Sequence, residues 1–185
     1  PQLPARAQLE HDIPILGEEN ADTITYSLTY PFTLTRACRN HCPYCSFQKR
    51  NENLTVPYST IKLAKKARAL GIREGLYIAG ERPDRFSQIR SMLDLWGFNS
   101  YLNYVYTVCE LGFLEGLIPV IEGGFFSPIE LKKLSEVCAL TKIMIDPVDH
   151  NIAATFYAKS PGKKLELRLK LLEWAGKLQF PTSTG

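Results

Sequence analysis

Hydrophobic and polar positions follow two periods along this chain, and the periods take turns. Tyr26 to Leu34 (YSLTYPFTL) sets aromatic and aliphatic residues against Ser and Thr with a period of two, a strand pattern to which Pro31 is a mild objection. A cysteine-rich loop follows. Ser59 reads as an N-cap, with Ile61, Ala64, Ala67 and Leu70 at helical spacing and Gly71 as the stop. Leu76 to Ala79 is a short buried strand ended by Gly80. Phe98 to Phe113 is a helix with Leu102, Val105, Cys109 and Phe113 on one face. Leu117 to Ile121 is the next strand, ended by Gly123 and Gly124. Ser127-Pro128-Ile129-Glu130 starts a helix with a capping box and a proline in the first turn. Thr141 to Ile145 is another strand. Lys163 to Ala175 is an amphipathic helix closed by Gly176, and Phe180 starts a further strand.

Strands that alternate with helices imply parallel pairing and right-handed crossovers, hence the α/β class. No GxGxxG or GxxxxGK[ST] follows any strand, so a nucleotide-binding doubly wound sheet has no support. A partial (β/α) TIM-like barrel of about four and a half units fits better. In such barrels chemistry sits on the loops after the strands, so reactive residues should cluster just past strands one to four.

Composition narrows the class. The 185 residues are 45% hydrophobic and 22% charged, too apolar for a disordered chain. A formal charge of +3 without a basic stripe does not argue for nucleic acid. No apolar run has the length of a membrane span, so no membrane partner is expected. The five cysteines are an odd count, and three of them fall within eight residues, a poor layout for a disulfide framework.

Those three are Cys38, Cys42 and Cys45, directly after the first strand, in the spacing C-x3-C-x2-C. A loop this tight can bring three thiolates to one point. Structural zinc and iron–sulfur clusters both normally take four protein ligands, and a second C-x2-C pair is missing here. Three thiolates on a four-iron cluster would leave one iron open for a non-protein ligand. A zinc loop with His41 or a distant residue as fourth ligand is the alternative, and a disulfide is another. Cys109 and Cys138 read as core cysteines. His41 reads as a loop residue, and His11 and His150 have no identifiable partner. After the second strand, Gly80 permits close backbone approach to a ligand. The Glu81 carboxylate could neutralise an ammonium, and Arg82 could hold a carboxylate or an adjacent acid. The structural alternative for the last two is a solvent-facing salt bridge at a strand end.

C-x3-C-x2-C with an aromatic residue before the last cysteine, after the first strand of a β/α barrel, resembles the radical S-adenosylmethionine (SAM) superfamily. The resemblance implies a 4Fe–4S cluster on Cys38, Cys42 and Cys45, whose open iron chelates SAM. It also implies a 5′-deoxyadenosyl radical that abstracts hydrogen from the substrate. By position, Tyr44, Gly80, Glu81, Arg82 and Asp146 would neighbour SAM. Gly80 to Asp84 (GERPD), Leu34-Thr35-Arg36, Cys45-Ser46-Phe47, Gly116 to Pro119 and Ser160 to Lys163 with Arg168 narrow the likeness. They resemble the CofG-type synthases of the deazaflavin FO. These are lyases that cyclise the tyrosine-derived adduct of 5-amino-6-(D-ribitylamino)uracil with release of ammonia. That implies a CofH-type sister enzyme to supply the adduct, a flavodoxin or ferredoxin as electron donor, and a reducing cytoplasm.

Two segments depart from the family pattern. Val120-Ile121-Glu122-Gly123-Gly124 stands where a polar His/Thr/Asn stretch is usual, and Met144-Ile145-Asp146 where Met-Leu-Glu is usual. Val120 and Ile121 remove polar groups, and Asp146 keeps the charge with a shorter reach. The competing readings are a CofH-type 4-hydroxybenzyl transferase, another radical SAM relative, or an inactive cluster-binding fragment. The chain opens on Pro1 and stops soon after a strong helix, so residues 1–25 are expected to be an extension. Residues 26–185 are expected to be the front of a longer barrel.

Overall fold

The computed structural model describes residues 26–146 and 149–184; the expected extension and His11 lie outside them. Five strands form one parallel sheet: β1 (Thr29–Thr35), β2 (Glu74–Ala79), β3 (Ile118–Glu122), β4 (Leu140–Lys142) and β5 (Thr182–Ser183). They lie in the sheet in chain order. Without a reversal of strand order there is no switch point of the doubly wound kind, and the sheet curls as a partial (β/α) barrel. The crossovers hold α1 (Pro57–Ala69), α2 (Ser87–Leu95), α3 (Tyr101–Leu114), α4 (Pro128–Leu134), α5 (His150–Phe156) and α6 (Leu165–Lys177). No described helix is long and apolar enough to cross a membrane.

The expected strands are present with shifted ends. β1 starts at Thr29 rather than Tyr26, because pairing with β2 begins at Thr29 and Glu74, whose side chains also share a 2.7 Å hydrogen bond. Pro31 is tolerated because β1 pairs on one side only among the described residues. β4 is shorter than expected and ends at Lys142, although Ile143 N–H still bonds Ser183 O at 2.9 Å. A register shift between Thr33 and Thr35 makes Leu34 an extra residue on β1. Its carbonyl turns to the Thr55 N–H, 2.7 Å away. This bulge re-aims the chain just before the cysteine loop.

Helix ends follow local chemistry more than the expected residues. Val56, not Ser59, is the N-cap of α1, because Pro57 sets the helical φ and needs no N–H partner. Gly71 ends that helix as expected: its φ is +76°, and Ile72 N–H bonds Ala67 O across the turn. The capping box of Ser127 and Glu130 forms at α4. Gly176 does not close α6. The helix runs on to Lys177, and Gln179 takes the left-handed position with φ +51° while Phe180 is buried behind it. Two helices were not expected from the residues: α2, which follows an uncapped Phe86 although it buries Ile89 and Leu93, and α5, which Asp149 caps but which buries no residue.

The core lies between sheet and helices. Phe32 and Tyr77 stack with ring centroids 4.7 Å apart. Cys109 and Cys138 are buried free thiols in the same cluster. The buried face of α3 is Tyr101, Tyr104, Val105, Val108, Cys109 and Gly112, so Leu102 and Phe113 are only half-buried. The reason is Gly112, which passes directly over the Tyr77 hydroxyl, where a Cβ would overlap it. That buried hydroxyl has no hydrogen-bond partner among the described residues. Gly112→Ala should therefore cost about 1–3 kcal/mol in urea unfolding, as overpacking does. Tyr77→Phe should be nearly neutral and should relieve most of the Gly112→Ala cost in the double variant. Additive losses would show that the two groups do not meet.

Candidate functional site

The C-terminal ends of the first four strands open on a cavity of about 410 Å³, within the range of ligand pockets. Each strand delivers the residues that follow it. The cysteine loop comes after β1, Gly80 and Glu81 after β2, Glu122 and Gly124 from the end of β3, and Met144 and Asp146 after β4. The Cys38, Cys42 and Cys45 thiols are all free, half-buried and on the cavity wall. Side chains alternate across the strands: Ile78, Glu122 and Lys142 line the cavity, while Tyr77, Ile121 and Thr141 are buried on the other face.

The loop is held from several directions. Arg39 N–H bonds Glu81 O at 2.9 Å. The buried Asn40 accepts from Gly162 N–H at 2.9 Å through its side-chain oxygen. Gln48 Nε2 donates to the carbonyls of Cys38 and Asn40. His41 N–H meets Ser160 Oγ at 3.1 Å, while its exposed ring has no hydrogen-bond or ion-pair partner among the described residues. Cys38 Sγ accepts the Glu81 N–H at 3.2 Å, and Cys42 Sγ lies 3.4 Å from Ser160 Oγ. Burial pushes the Cys38 thiol above its ordinary range, and the backbone N–H groups of Glu81 and Asn40 pull the other way. Gly80 is required here, because a Cβ would collide with the Ala37 carbonyl.

Glu81 is buried rather than at the solvent-facing strand end weighed from sequence. Its Oε1 accepts from Arg39 Nε at 2.8 Å and its Oε2 from Arg168 at 2.7 Å. Gly124 and Gly162 close over it, each at a place where a Cβ would press on the carboxylate. Arg39 also lies over the Phe125 ring, 5.7 Å from its centroid. Arg82 points elsewhere: its guanidinium binds Asp84 at 2.6 Å and Glu130 at 2.8 Å, and it does not line the cavity. At the mouth, Asp146 (φ +62°) accepts from the Tyr44 phenol at 3.1 Å and pairs with Lys163. Desolvation first, then the Tyr157 hydrogen bond and the Asp146 charge, hold the Tyr44 phenol above its ordinary value. His150 does have a neighbour, Glu166 Oε1 at 3.7 Å, but both are exposed.

Of the residues expected at the site, the cavity gathers Cys38, Cys42, Cys45, Tyr44, Gly80, Glu81 and Asp146 and leaves out Arg82. Arg39, Asn40, Gln48, Glu122 and Lys142 were not singled out from sequence. The strand period would have given Glu122 and Lys142, both in step with Ile78. Among the described residues no three His, Cys, Asp or Glu side chains converge to hold a single metal ion. An all-sulfur donor set on one cavity wall, with an N–H already aimed at one sulfur, fits a larger iron–sulfur group.

Comparison with known proteins agrees with this geometry. Over 165 residues the chain is 36% identical to the 7,8-didemethyl-8-hydroxy-5-deazariboflavin synthase of Methanothermobacter thermautotrophicus, covering 88% of this chain and 50% of that one. It is 34% identical over 163 residues to the synthase of the same name from Archaeoglobus fulgidus, covering 88% and 49%. The chain is a relative of the deazariboflavin synthases. It spans about half the length of these synthases. No family model matches it. Its fold is that of the FeFe-hydrogenase maturase HydG from Carboxydothermus hydrogenoformans (TM-score 0.70, 17% identity, 85% of this chain and 35% of that one). Methylornithine synthase (PylB) is similarly close (TM-score 0.68, 15% identity, 86% and 44%).

Two measurements test the site of this synthase relative. Glu81→Ala leaves the buried Arg168 and the half-buried Arg39 without their anion and should cost about 3–5 kcal/mol in urea unfolding. A loss under about 1 kcal/mol would mean the clamp is solvated. In the metal-free chain, iodoacetamide should label Cys38 with a half-point at higher pH than a free thiol, because its thiolate forms later. Labelling that tracks free cysteine would place Cys38 in solvent.

Proposed function

We propose that this chain is the cluster- and SAM-binding part of a radical SAM enzyme of the deazaflavin synthase type. It would cyclise the tyrosine-derived adduct of 5-amino-6-(D-ribitylamino)uracil to the deazaflavin and release ammonia, as a lyase. The observation that carries the reading is the placement of Cys38, Cys42 and Cys45 on one wall of the cavity at the strand ends. The identity to the synthases supports the substrate class. The three cysteines would hold a 4Fe–4S cluster. Together with SAM, the cluster supplies one-electron chemistry that begins with hydrogen abstraction from the substrate.

The chain's own residues prepare that site. The Glu81 N–H donates to the Cys38 sulfur, which stabilises negative charge there. The bare backbone of Gly80 lets β2 close against the loop. Tyr44 and Asp146, joined to each other, would flank SAM at the mouth. The buried pairing of Glu81 with Arg39 and Arg168 keeps the loop and α6 at a fixed distance. A CofH-type enzyme would supply the adduct, a flavodoxin or ferredoxin the electron, and a reducing cytoplasm would protect an oxygen-sensitive centre.

The test is anaerobic reconstitution with iron and sulfide, followed by SAM, a reductant and the adduct. A fluorescent deazaflavin and 5′-deoxyadenosine are expected, and triple substitution of the three cysteines should abolish both. Deoxyadenosine without deazaflavin would retain the radical chemistry and reject the assigned substrate. Failure to bind iron and sulfide would reject the reading altogether.

A further inference from the structure

The charges on the cavity wall sort into two groups. Glu81 is paired with both Arg168 and Arg39, and Asp146 is paired with Lys163. Glu122 and Lys142 remain. Among the described residues neither makes an ion pair or a side-chain hydrogen bond, although both line the cavity and both are half-buried. They are also neighbours. Ile121 of β3 pairs with Thr141 of β4, so the next residues, Glu122 and Lys142, continue the register on the opposite, cavity-facing side. Strand spacing sets their backbones about 4.8 Å apart. A carboxylate and an ammonium are thus presented side by side on rigid strands, each with unused hydrogen-bonding capacity.

We propose that Glu122 and Lys142 form the substrate-reading pair of this site. Together they would bind the imide edge of a uracil ring, with Glu122 accepting from the ring N–H and Lys142 donating to the adjacent carbonyl. A carboxylate only accepts and an ammonium only donates, so the pair selects a neighbouring donor and acceptor. An edge of N–H beside C=O has that pattern. Strand positions suit the task because the two groups are fixed before the ligand arrives, which reduces the ordering cost of binding. The inference rests on the deazaflavin synthase reading, which brings a ribitylaminouracil to the cavity, and adds the residues that recognise it. It also gives the departure at Val120–Gly124 a role, since the polar group there moves to Glu122.

The test is calorimetric titration of the anaerobically reconstituted chain with 6-(D-ribitylamino)uracil. The same titration is run on Glu122→Gln, Lys142→Met and Lys142→Arg. Loss of a charge-assisted hydrogen bond predicts an affinity about tenfold to hundredfold weaker for Glu122→Gln and Lys142→Met. Partial recovery is expected in Lys142→Arg. Iron and sulfide content and the urea-unfolding midpoint should match the parent chain in all three, which separates a binding role from loss of structure. If the parent binds and both charge-removing variants bind equally well, the pair is rejected while the synthase reading stands. If the parent neither binds this uracil nor forms deazaflavin from the adduct, both fall together. Lower cluster content in parallel with weaker binding would show that the pair supports the fold instead of reading substrate.

Discussion

The site depends on one buried carboxylate. Glu81 stands at the end of β2 and joins Arg39 of the cysteine loop to Arg168 of α6, across 42 and 87 residues of sequence. Its two oxygens face two guanidinium groups in a space closed by Gly124 and Gly162. Burying an isolated charge there would be costly, and two charges alone would gain little over a hydrophobic pair. The gain is in placement. A carboxylate with one arginine on each oxygen leaves little freedom in the distance between loop and helix, which is what three metal-binding thiols require.

Around that clamp the loop is fixed by hydrogen bonds instead of packing. Asn40 is buried and its side-chain oxygen accepts from Gly162 N–H, while Gln48 spans two carbonyls of the loop. Cavities that hold polar groups next to a ligand need this kind of support, because apolar side chains cannot direct a sulfur to within tenths of an ångström. The bulge at Leu34 and the glycine at position 80 are the backbone counterparts of the same requirement.

What could be read from the residues divides along physical lines. The alternation of strands and helices was legible because each element buries one face, and the cysteine spacing was legible because its partners are adjacent in sequence. The capping box at Ser127 and the stop at Gly71 were legible for the same reason, being closed within a turn. Helix α5 was hidden because it buries nothing, and the true end of α6 because Phe180, not Gly176, decides it. Arg39 and Asn40 were hidden because their partners lie far along the chain, and Arg168 was legible as part of the family pattern while its pairing with Glu81 was not. Arg82 was legible as a charged residue able to hold an adjacent acid, and it does bind Asp84, but its second partner, Glu130 on a different helix, is a long-range choice that spacing does not contain.

The loop that carries the thiols is built at the first strand, but its anchors Ser160 and Gly162 stand 119 and 122 residues downstream. Its shape is therefore a property of the whole chain. Loosening of the packing around α6, far from any cysteine in sequence, would appear at the sulfurs as slack. A survey of cluster content across variants remote from the cavity would in effect be a survey of how firmly the segment before α6 is held against the sheet.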